Sequence, residues 1–512
     1  MADAVSQPAL IVKNRTLLIS AIMLAMVMQV LDTTIANVAL PHMRSALSAS
    51  QEEVSWVLPS YIVAAAIMTP LSGWLADRLG RRNLLLIGVA GFTVASLLCG
   101  LATSLPMMVA FRIVQGVFGA TLAPLAQAIM MDVTPREKMG QSMAIFGLGV
   151  MVAPIVGPTL GGVLTENFDW RWVFLVNLPV GILAFVALWF NMPREALKLR
   201  RFDFFGFAML AIAVASTQMI FDRGASAGWF ESTEVWLYLG LAISGYWAFV
   251  VHCWTAENPF VDLKMFADRN FTSGLFFIFM IGITTFSGLA LLPPLLQNLM
   301  GYSVIDTGIL MAPRGIGTMV SMMLVGRLVG KVDARILVIT GIAISAYSLW
   351  MMTGFDLQMD GGLIMSSGFL QGIGLGLVFV PLNTLAFATI APRLRVDATA
   401  FFSLIRNVGQ GVGISLVTTV LAHMIQVNNA ELATRVSLDS SAVRDFPGML
   451  QGSLSAIQSL GGLVAQQSAM IGYLDDFWLM AIVTVASAPL VLLLRRPKAA
   501  APKPDLAHAA GE

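Results

Sequence analysis

Residues 73–82 read GWLADRLGRR, a short basic stretch with glycines at 73 and 80, set between apolar runs at 54–75 and 84–103. At an offset of 253 positions the chain reads GRLVGKVDAR over 326–335, again between long apolar runs. A charged loop that recurs between runs of roughly 20 apolar residues points to membrane-crossing helices built from a repeat. Helices are required, because an open sheet would leave unpaired backbone groups facing lipid.

Composition agrees with that reading. Of the 512 residues, 57% are apolar and only 12% are charged. Soluble domains carry roughly 25% charged residues, so a soluble enzyme of this size is excluded. The net charge of +1 provides no basic field for nucleic acid. Apolar runs recur at approximately 17–40, 54–75, 84–103, 106–131, 142–165, 172–191, 204–222, 235–253, 271–293, 304–326, 336–354, 362–390, 398–424 and 474–494. These are fourteen candidate spans. Loop charges then set the orientation. With the N-terminus in the cytoplasm, 22 Lys and Arg fall on that side. Only Arg44, Arg171, Arg223, Arg435 and Arg444 fall opposite. Both termini are therefore expected inside. The first run carries an acid and is too long for a cleavable leader, so it is expected to remain as the first helix. Cys99 and Cys253 lie in apolar runs and imply no disulfide framework.

The runs divide into six, two and six. RIVQGVFG at 112–119 is echoed loosely by GFLQGIGL at 368–375, an offset of 256 positions. Two parallel halves related by an axis along the membrane normal produce such echoes. The expected organisation is an N-terminal six-helix bundle over 1–191 and a C-terminal one over 271–494. A central two-helix insertion with flanking loops covers 192–270, and a cytoplasmic tail covers 495–512. The hairpin at 204–253 has no echo and is expected at the periphery, lining no part of a central cavity. An outer-face loop at 425–473, rich in Ser, Gln and Ala, reads as a solvated amphipathic cap or a docking surface.

Ionisable groups inside a membrane are costly, and each is a functional candidate. Outside the loops only Arg112, Arg314 and Arg406 remain as cations, and Asp32 is the only acid well within a span. Asp222 is read as a boundary residue of the seventh run. Asp32 lies about eight residues, or ~12 Å, from the outer end of its helix. Arg112 lies about six residues, or ~9 Å, from the outer end of the fourth. The two should face each other at similar depth. An acid tuned by a nearby guanidinium can carry a proton, although a permanent structural ion pair would look the same. Gln115 shares the Arg112 face, and Gly116 and Gly119 would admit a close neighbour. Arg314 and Arg406 lack a partner acid, which leaves backbone carbonyls, water or an anionic substrate group. In the 73–82 loop, Gly73 and Gly80 permit tight turns and Asp77 can cap a helix or pair with an arginine. The loop reads as a latch on one conformation, or more simply as a topogenic basic loop. In APIVGPTLGG at 153–162, Pro154 and Pro158 with Gly157, Gly161 and Gly162 read as a kinked hinge or a close interface. His42, His252, His423 and His508 are scattered, so no metal grouping is expected. GKV at 330–332 lacks the surroundings of a phosphate-binding loop. GIGLG at 372–376 and GQGVG at 409–413 lie inside apolar helices. No enzyme activity and no cofactor are expected.

These stretches resemble motifs of the major facilitator superfamily. GWLADRLGRR resembles its cytoplasmic loop motif, and LDTTIANVALP at 31–41 the first-helix motif of its fourteen-helix drug/proton antiporters. RIVQG with Arg112 is similar to the fourth-helix motif, and GPTLGG to the fifth-helix antiporter motif. WRWVFLVNLPVG at 170–181 and FDRGASAGWF at 221–230 also look like that group, with EmrB-type multidrug export permeases the nearest resemblance. It implies an all-α membrane fold of two six-helix bundles plus two central helices. It further implies proton coupling by Asp32 and Arg112 with Gln115 beside them. The gate would comprise Gly73, Asp77, Arg78, Gly80 and Arg81, and the antiporter bend Pro154, Gly157, Pro158, Gly161 and Gly162. Ala153 departs from the glycine many members carry. A periplasmic adaptor and an outer-membrane channel are implied as partners, in a bacterial inner membrane.

The expected function is a proton-driven antiporter that exports small amphipathic drugs or toxic compounds, drawing on the proton gradient alone. The 31 Met and 30 Phe suit an adaptable apolar cavity. A dedicated exporter of one lipid, siderophore or metabolite is the alternative within transport. A non-transporting receptor or scaffold, the rival from another class, would need an appended soluble domain.

Overall fold

The computed structural model describes residues 12, 14–54, 56–135, 138–194, 197, 201–329, 331–436 and 454–494. Among them lie fourteen helices long and apolar enough to cross a membrane. They are α1 (Arg15–Ala46), α2 (Val57–Leu79), α3 (Arg81–Gly100), α4 (Leu105–Asp132), α5 (Met139–Asn167), α6 (Trp172–Asn191) and α7 (Phe204–Arg223). The remainder are α8 (Thr233–Thr255), α9 (Arg269–Leu299), α10 (Val304–Leu328), α11 (Ala334–Met352), α12 (Gly361–Ala386), α13 (Pro392–Arg435) and α14 (Leu454–Leu492).

Local chemistry sets many of the boundaries. Side chains of Asn14, Asp203, Ser232, Asp268, Ser303 and Asp333 accept from the first-turn N–H groups of α1, α7, α8, α9, α10 and α11. Gly80 separates α2 from α3 at φ +80°, a conformation that glycine adopts without a Cβ penalty. Between α1 and α2, Ser50 and Glu53 cap each other's backbone N–H. Those bonds from Ser50 hold the Glu53 carboxyl below its ordinary value.

Helix packing follows the repeat. In the first half α1 packs on α5 and α6, α2 on α4, and α3 on α4 and α6. In the second half α9 packs on α13 and α12, α10 on α12, and α11 on α12 and α14. Small residues make equivalent contacts at equivalent positions. A Cβ at Gly116 would stand 2.5 Å from the Tyr61 carbonyl oxygen and 3.2 Å from the Ala65 nitrogen. One at Gly372 would overlap the Arg314 carbonyl oxygen and stand 2.7 Å from the Thr318 nitrogen. Gly157 meets the Thr34 hydroxyl just as Gly413 meets the Ser287 hydroxyl. The offsets are 253 positions in the first, second, ninth and tenth helices and 256 in the fourth, fifth, twelfth and thirteenth. Each near-contact of backbone on backbone requires a residue without a side chain.

The halves meet where α5 lies against α10 and α12, and where α2 and α4 lie against α13. The hairpin is not wholly peripheral. Its α7 leans on both α2 and α13, with the Trp229 indole beyond it donating to Thr419 Oγ1 at 3.2 Å. Only α8, which packs chiefly on α7 and exposes Trp236, Trp247 and Trp254, has the expected outlying position.

Two further expectations are corrected. The stretch 425–473 is largely helix, because α13 runs unbroken to Arg435 and α14 begins at Leu454, with 437–453 outside the described residues. Polar residues such as Gln426, Asn428 and Gln466 do not stop a helix that has a neighbour to pack on. In α14 this places Asp476 in mid-helix at 0% exposure, so Asp32 is not the only deep acid. The stretch 495–512, expected as a cytoplasmic tail, lies outside the described residues.

These close contacts predict a stability effect. A Cβ at Gly282 of α9 would stand 2.6 Å from the Arg406 carbonyl oxygen, whereas Gly240 of α8 has open space around it. Gly282→Val should therefore destabilise the protein by roughly 1–3 kcal/mol and lower its unfolding midpoint in detergent. Gly240→Val should leave the midpoint unchanged; equal midpoints in the two variants would refute the packing argument.

Candidate functional site

In the first half, buried polar side chains from four helices converge on one carboxylate. Asp32 of α1 is 0% exposed. Arg112 Nη1 of α4 donates to Asp32 Oδ2 at 2.6 Å and to Gln115 Oε1 at 2.7 Å. Gln115 Nε2 and Asn177 Nδ2 then donate to Asp32 Oδ1 at 3.0 and 2.9 Å. Ser96 Oγ of α3 accepts from Asn177 at 3.0 Å and donates to the Phe174 carbonyl at 2.9 Å. Arg112 Nε donates to the Val57 carbonyl of α2 at 3.1 Å, and its guanidinium lies 4.4 Å from the centre of the Tyr61 ring. Tyr61 in turn accepts from Gln29 at 3.2 Å. Sequence spacing brings Arg112 and Gln115 onto one helical face three residues apart. The close approach allowed by Gly116 then seats Tyr61 against them.

The chemistry of this cluster follows from its burial. An ion pair sealed from water depends on how its remaining lone pairs and protons are met. Here amides satisfy the carboxylate, while Arg112 Nη2 has no hydrogen-bond partner among the described residues and the guanidinium rests on the Tyr61 ring. Taking a proton onto Asp32 would cancel its attraction for Arg112 and turn an acceptor-only group into a donor. The pair therefore links the protonation of one oxygen to the packing of α1, α2, α4 and α6.

A second cluster joins the two halves at the face that carries Gly80. Asp132, at the end of α4, pairs with both Arg81 of α3 and Arg395 of α13. Nearby, Gln127 Nε2 donates to Asn383 Oδ1 at 2.8 Å, and Thr399 Oγ1 to the Pro124 carbonyl at 3.0 Å. Gly73 lies inside α2 rather than in a turn, because its missing side chain makes room for Asp397 of α13. Asp77 pairs with no described residue, while Arg78 lies over its own neighbour Trp74 at 5.5 Å. Of the five gate candidates, Gly73 and Arg81 touch the seam between halves.

Pro154 and Pro158 lie within one continuous helix, α5. A Cβ at Gly161 would stand 3.0 Å from the Ile35 carbonyl of α1, and one at Gly162 2.6 Å from Val304 Cγ1 of α10. This stretch therefore forms the seam against α1 and the opposite half. Arg314 and Arg406 are both buried, on α10 and α13, and neither forms an ion pair with a described residue. Asp476 is also apart from them, and neither of its carboxylate oxygens has a partner among the described residues.

Sequence reasoning missed Asn177, Tyr61 and Asp132. Asn177 is an amide in a run of apolar residues, a signal as unusual as the charge at Asp32 though less costly. Asp132 ends its span and reads as an ordinary boundary acid.

The Major Facilitator Superfamily profile matches residues 22–414. The chain is 34% identical over 484 residues to the multidrug export protein EmrB of Escherichia coli K12, covering 93% of this chain and 94% of that one. It is 34% identical over 482 residues to the fatty acid resistance protein FarB of Neisseria gonorrhoeae, covering 93% and 95%. Among solved structures, the human organic anion transporter MFSD10 superposes with a TM-score of 0.58 at 13% identity, covering 92% of this chain and 99% of that one. The proton:xylose symporter XylE superposes with a TM-score of 0.58 at 14% identity, covering 93% and 96%. At such identities the structural likeness speaks for the fold.

The Asp132 bridge yields a prediction. Asp132→Asn should loosen the bridge through which Asp132 joins Arg81 to Arg395 and shift the population towards a state open at this face. A cysteine placed by Thr399→Cys, at a position now 0% exposed, should then react with a water-soluble thiol reagent about threefold faster or more. An unchanged labelling rate would show that the Asp132 bridge does not hold this face closed.

Proposed function

Because the chain belongs to the major facilitator superfamily, we propose that its polar cluster around Asp32 is the proton-coupling element of a multidrug exporter. The protein is a proton-driven efflux permease that moves small amphipathic compounds out of a bacterial cell across the inner membrane. Close similarity to EmrB along nearly the whole chain supports this reading. The single observation that carries the coupling mechanism is the fully buried Asp32–Arg112 pair, braced by Gln115 and Asn177.

The mechanism follows from that geometry. With Asp32 ionised, its attraction for Arg112 holds α1 to α4, and Asn177 holds it to α6. Protonation removes the attraction and leaves Arg112 with the Val57 carbonyl, Gln115 and the Tyr61 ring. The two protonation states therefore favour different packings of the first half, and substrate binding biases the same equilibrium. Arg112, Gln115 and Asn177 act as positioning residues for the proton on Asp32. At the basic face, taken as cytoplasmic with both termini inside, Asp132 with Arg81 and Arg395 holds the halves together, and Gly73 lets α13 approach. Asp77 and Arg78 act in another conformation of the same gate. The glycines from Gly157 to Gly162 with Pro154 and Pro158 set the seam along which the halves move.

The bundles divide at 1–191 and 271–494, with 192–270 inserted between them. A periplasmic adaptor and an outer-membrane channel complete the export path. The proton gradient drives the cycle without a cofactor. MFSD10 and XylE share the fold, and neither bears on the substrate.

The test is coupling in proteoliposomes. Asp32→Asn should bind drug and remain folded, yet lose proton-driven uptake and drug-induced proton release almost completely. Wild-type proton release from that variant would overturn the assignment. Arg112→Lys should retain more transport than Arg112→Ala, because charge at that point is what the carboxylate reads.

A further inference from the structure

The second half contains a counterpart of the proton site with one charge missing. Applying the repeat offsets, Asp32 corresponds to Thr285, Tyr61 to Arg314, Gln115 to Gln371 and Arg112 to Gly368. The contacts support this register, since Gly372 packs on the Arg314 carbonyl as Gly116 does on that of Tyr61. The cation has moved from α4 to the equivalent of α2, and the acid has become a threonine. Arg112 and Asp32 neutralise each other, whereas Arg314 pairs with no acid among the described residues.

These residues border a partly open cavity of about 50 Å³ in the second half, where Arg314, Gln371, Thr285 and Ser345 meet a mainly apolar wall that includes Phe277 and Ile281. Arg314 is 2% exposed, and its Nη2 donates to the Thr285 carbonyl at 3.0 Å. Its Nη1 has no partner among the described residues, which leaves a buried donor open. Gln371 Oε1 is also unpartnered but, as an acceptor, calls for a water or another donor beside the anion. Arg314 Nη1 and Gln371 Nε2 both border Gly288, at 3.4 and 3.6 Å from where its Cβ would stand. The position equivalent to Gly288 in the first half is Ile35, which fills its surroundings. Thus the second half has cleared a side chain beside two convergent donors and removed the carboxylate that would neutralise them.

We propose that Arg314 and Gln371 form an anion site, taking either the carboxylate of an amphipathic substrate or a small inorganic anion. Bidentate geometry suits a guanidinium to a carboxylate, and an unpaired buried cation makes its occupation favourable. Occupation completes in the second half the charge balance that Asp32 supplies in the first. The site deepens the export reading where the carboxylate belongs to cargo, and stands independently of it where the anion is inorganic.

The experiment measures equilibrium binding to the full-length protein in detergent by intrinsic tryptophan fluorescence. The probes are laurate, dodecylamine as its cationic counterpart, and chloride, each titrated into wild type and Arg314→Gln at the same ionic strength. Wild type should bind laurate or chloride saturably. Arg314→Gln should weaken that binding at least tenfold and Arg314→Lys distinctly less, with dodecylamine unaffected. Thr285→Asp supplies an internal carboxylate where the first half has one, and should abolish the anion response while raising the unfolding midpoint. This variant carries the test if Arg314→Gln does not fold. A response to laurate alone assigns the site to cargo, and a response to chloride alone assigns it to an inorganic anion. Saturable binding unchanged by Arg314→Gln and by Thr285→Asp, or no anion binding in wild type, overturns the proposal. Because the readout is binding, loss of proton-driven export in a separate assay would count against the exporter reading and leave the anion site intact.

Discussion

The burial of one carboxylate beside one guanidinium constrains the first half of this protein more than any other contact. A charge removed from water costs several kcal/mol unless its partners are close and numerous. Asp32 therefore needs Arg112, Gln115 and Asn177 at the same time, and those residues come from α4 and α6. The packing that brings them together depends in turn on small residues, with Gly116 letting α2 and α4 touch backbone to backbone. A methyl group there would push Tyr61 off the guanidinium it covers. Electrostatics and close packing are thus one requirement, and neither can be relaxed alone.

The duplicated half shows how such a constraint changes when one partner is lost. Several of its close contacts are retained at equivalent positions, Gly372 for Gly116 and Gly413 for Gly157, so the helix framework is common to both halves. The polar residues have been reassigned. A framework that tolerates reassignment of its buried charge can specialise one half for the driving ion and the other for a different task. The ion-pair cluster at Asp132 joins the halves at one face, where cations of α3 and α13 share a single acid. Pulling either arginine away leaves the other still paired, so separation of the halves does not strand the carboxylate.

Much of this was legible from the residues, for reasons that differ from case to case. Fourteen spans could be read because lipid demands long apolar helices and the loops carry a one-sided excess of arginine and lysine. Asp32 and Arg112 stood out because charge is rare at that depth, and their matched distance from the outer face paired them. Asn177 did not stand out, since a neutral amide in an apolar helix costs far less and has many uses. Asp476 was misplaced because two adjacent acids at 475 and 476 look like the end of a span when only lipid is considered. Protein on every side permits Asp476 in mid-helix, while Asp475 is half-buried beside Asn428. Gly73 looked like a turn residue, but its use is to admit Asp397 from a helix more than 300 positions away. Local sequence carries no mark of that neighbour.

The length of α13 has a mechanical consequence. Its unbroken segment Arg395–Arg435 has 41 residues, ~60 Å of rigid rod, about twice the thickness of the hydrocarbon it crosses. One end bears Arg395 in the charged seam, and by length alone the helix, packed beside α14, exceeds the hydrocarbon thickness by about 30 Å. Such a rod is a lever. A tilt of about 10° at the seam sweeps its far tip through roughly 10 Å. Any body resting against that tip would feel each cycle of the seam as a stroke far larger than the displacement that produced it.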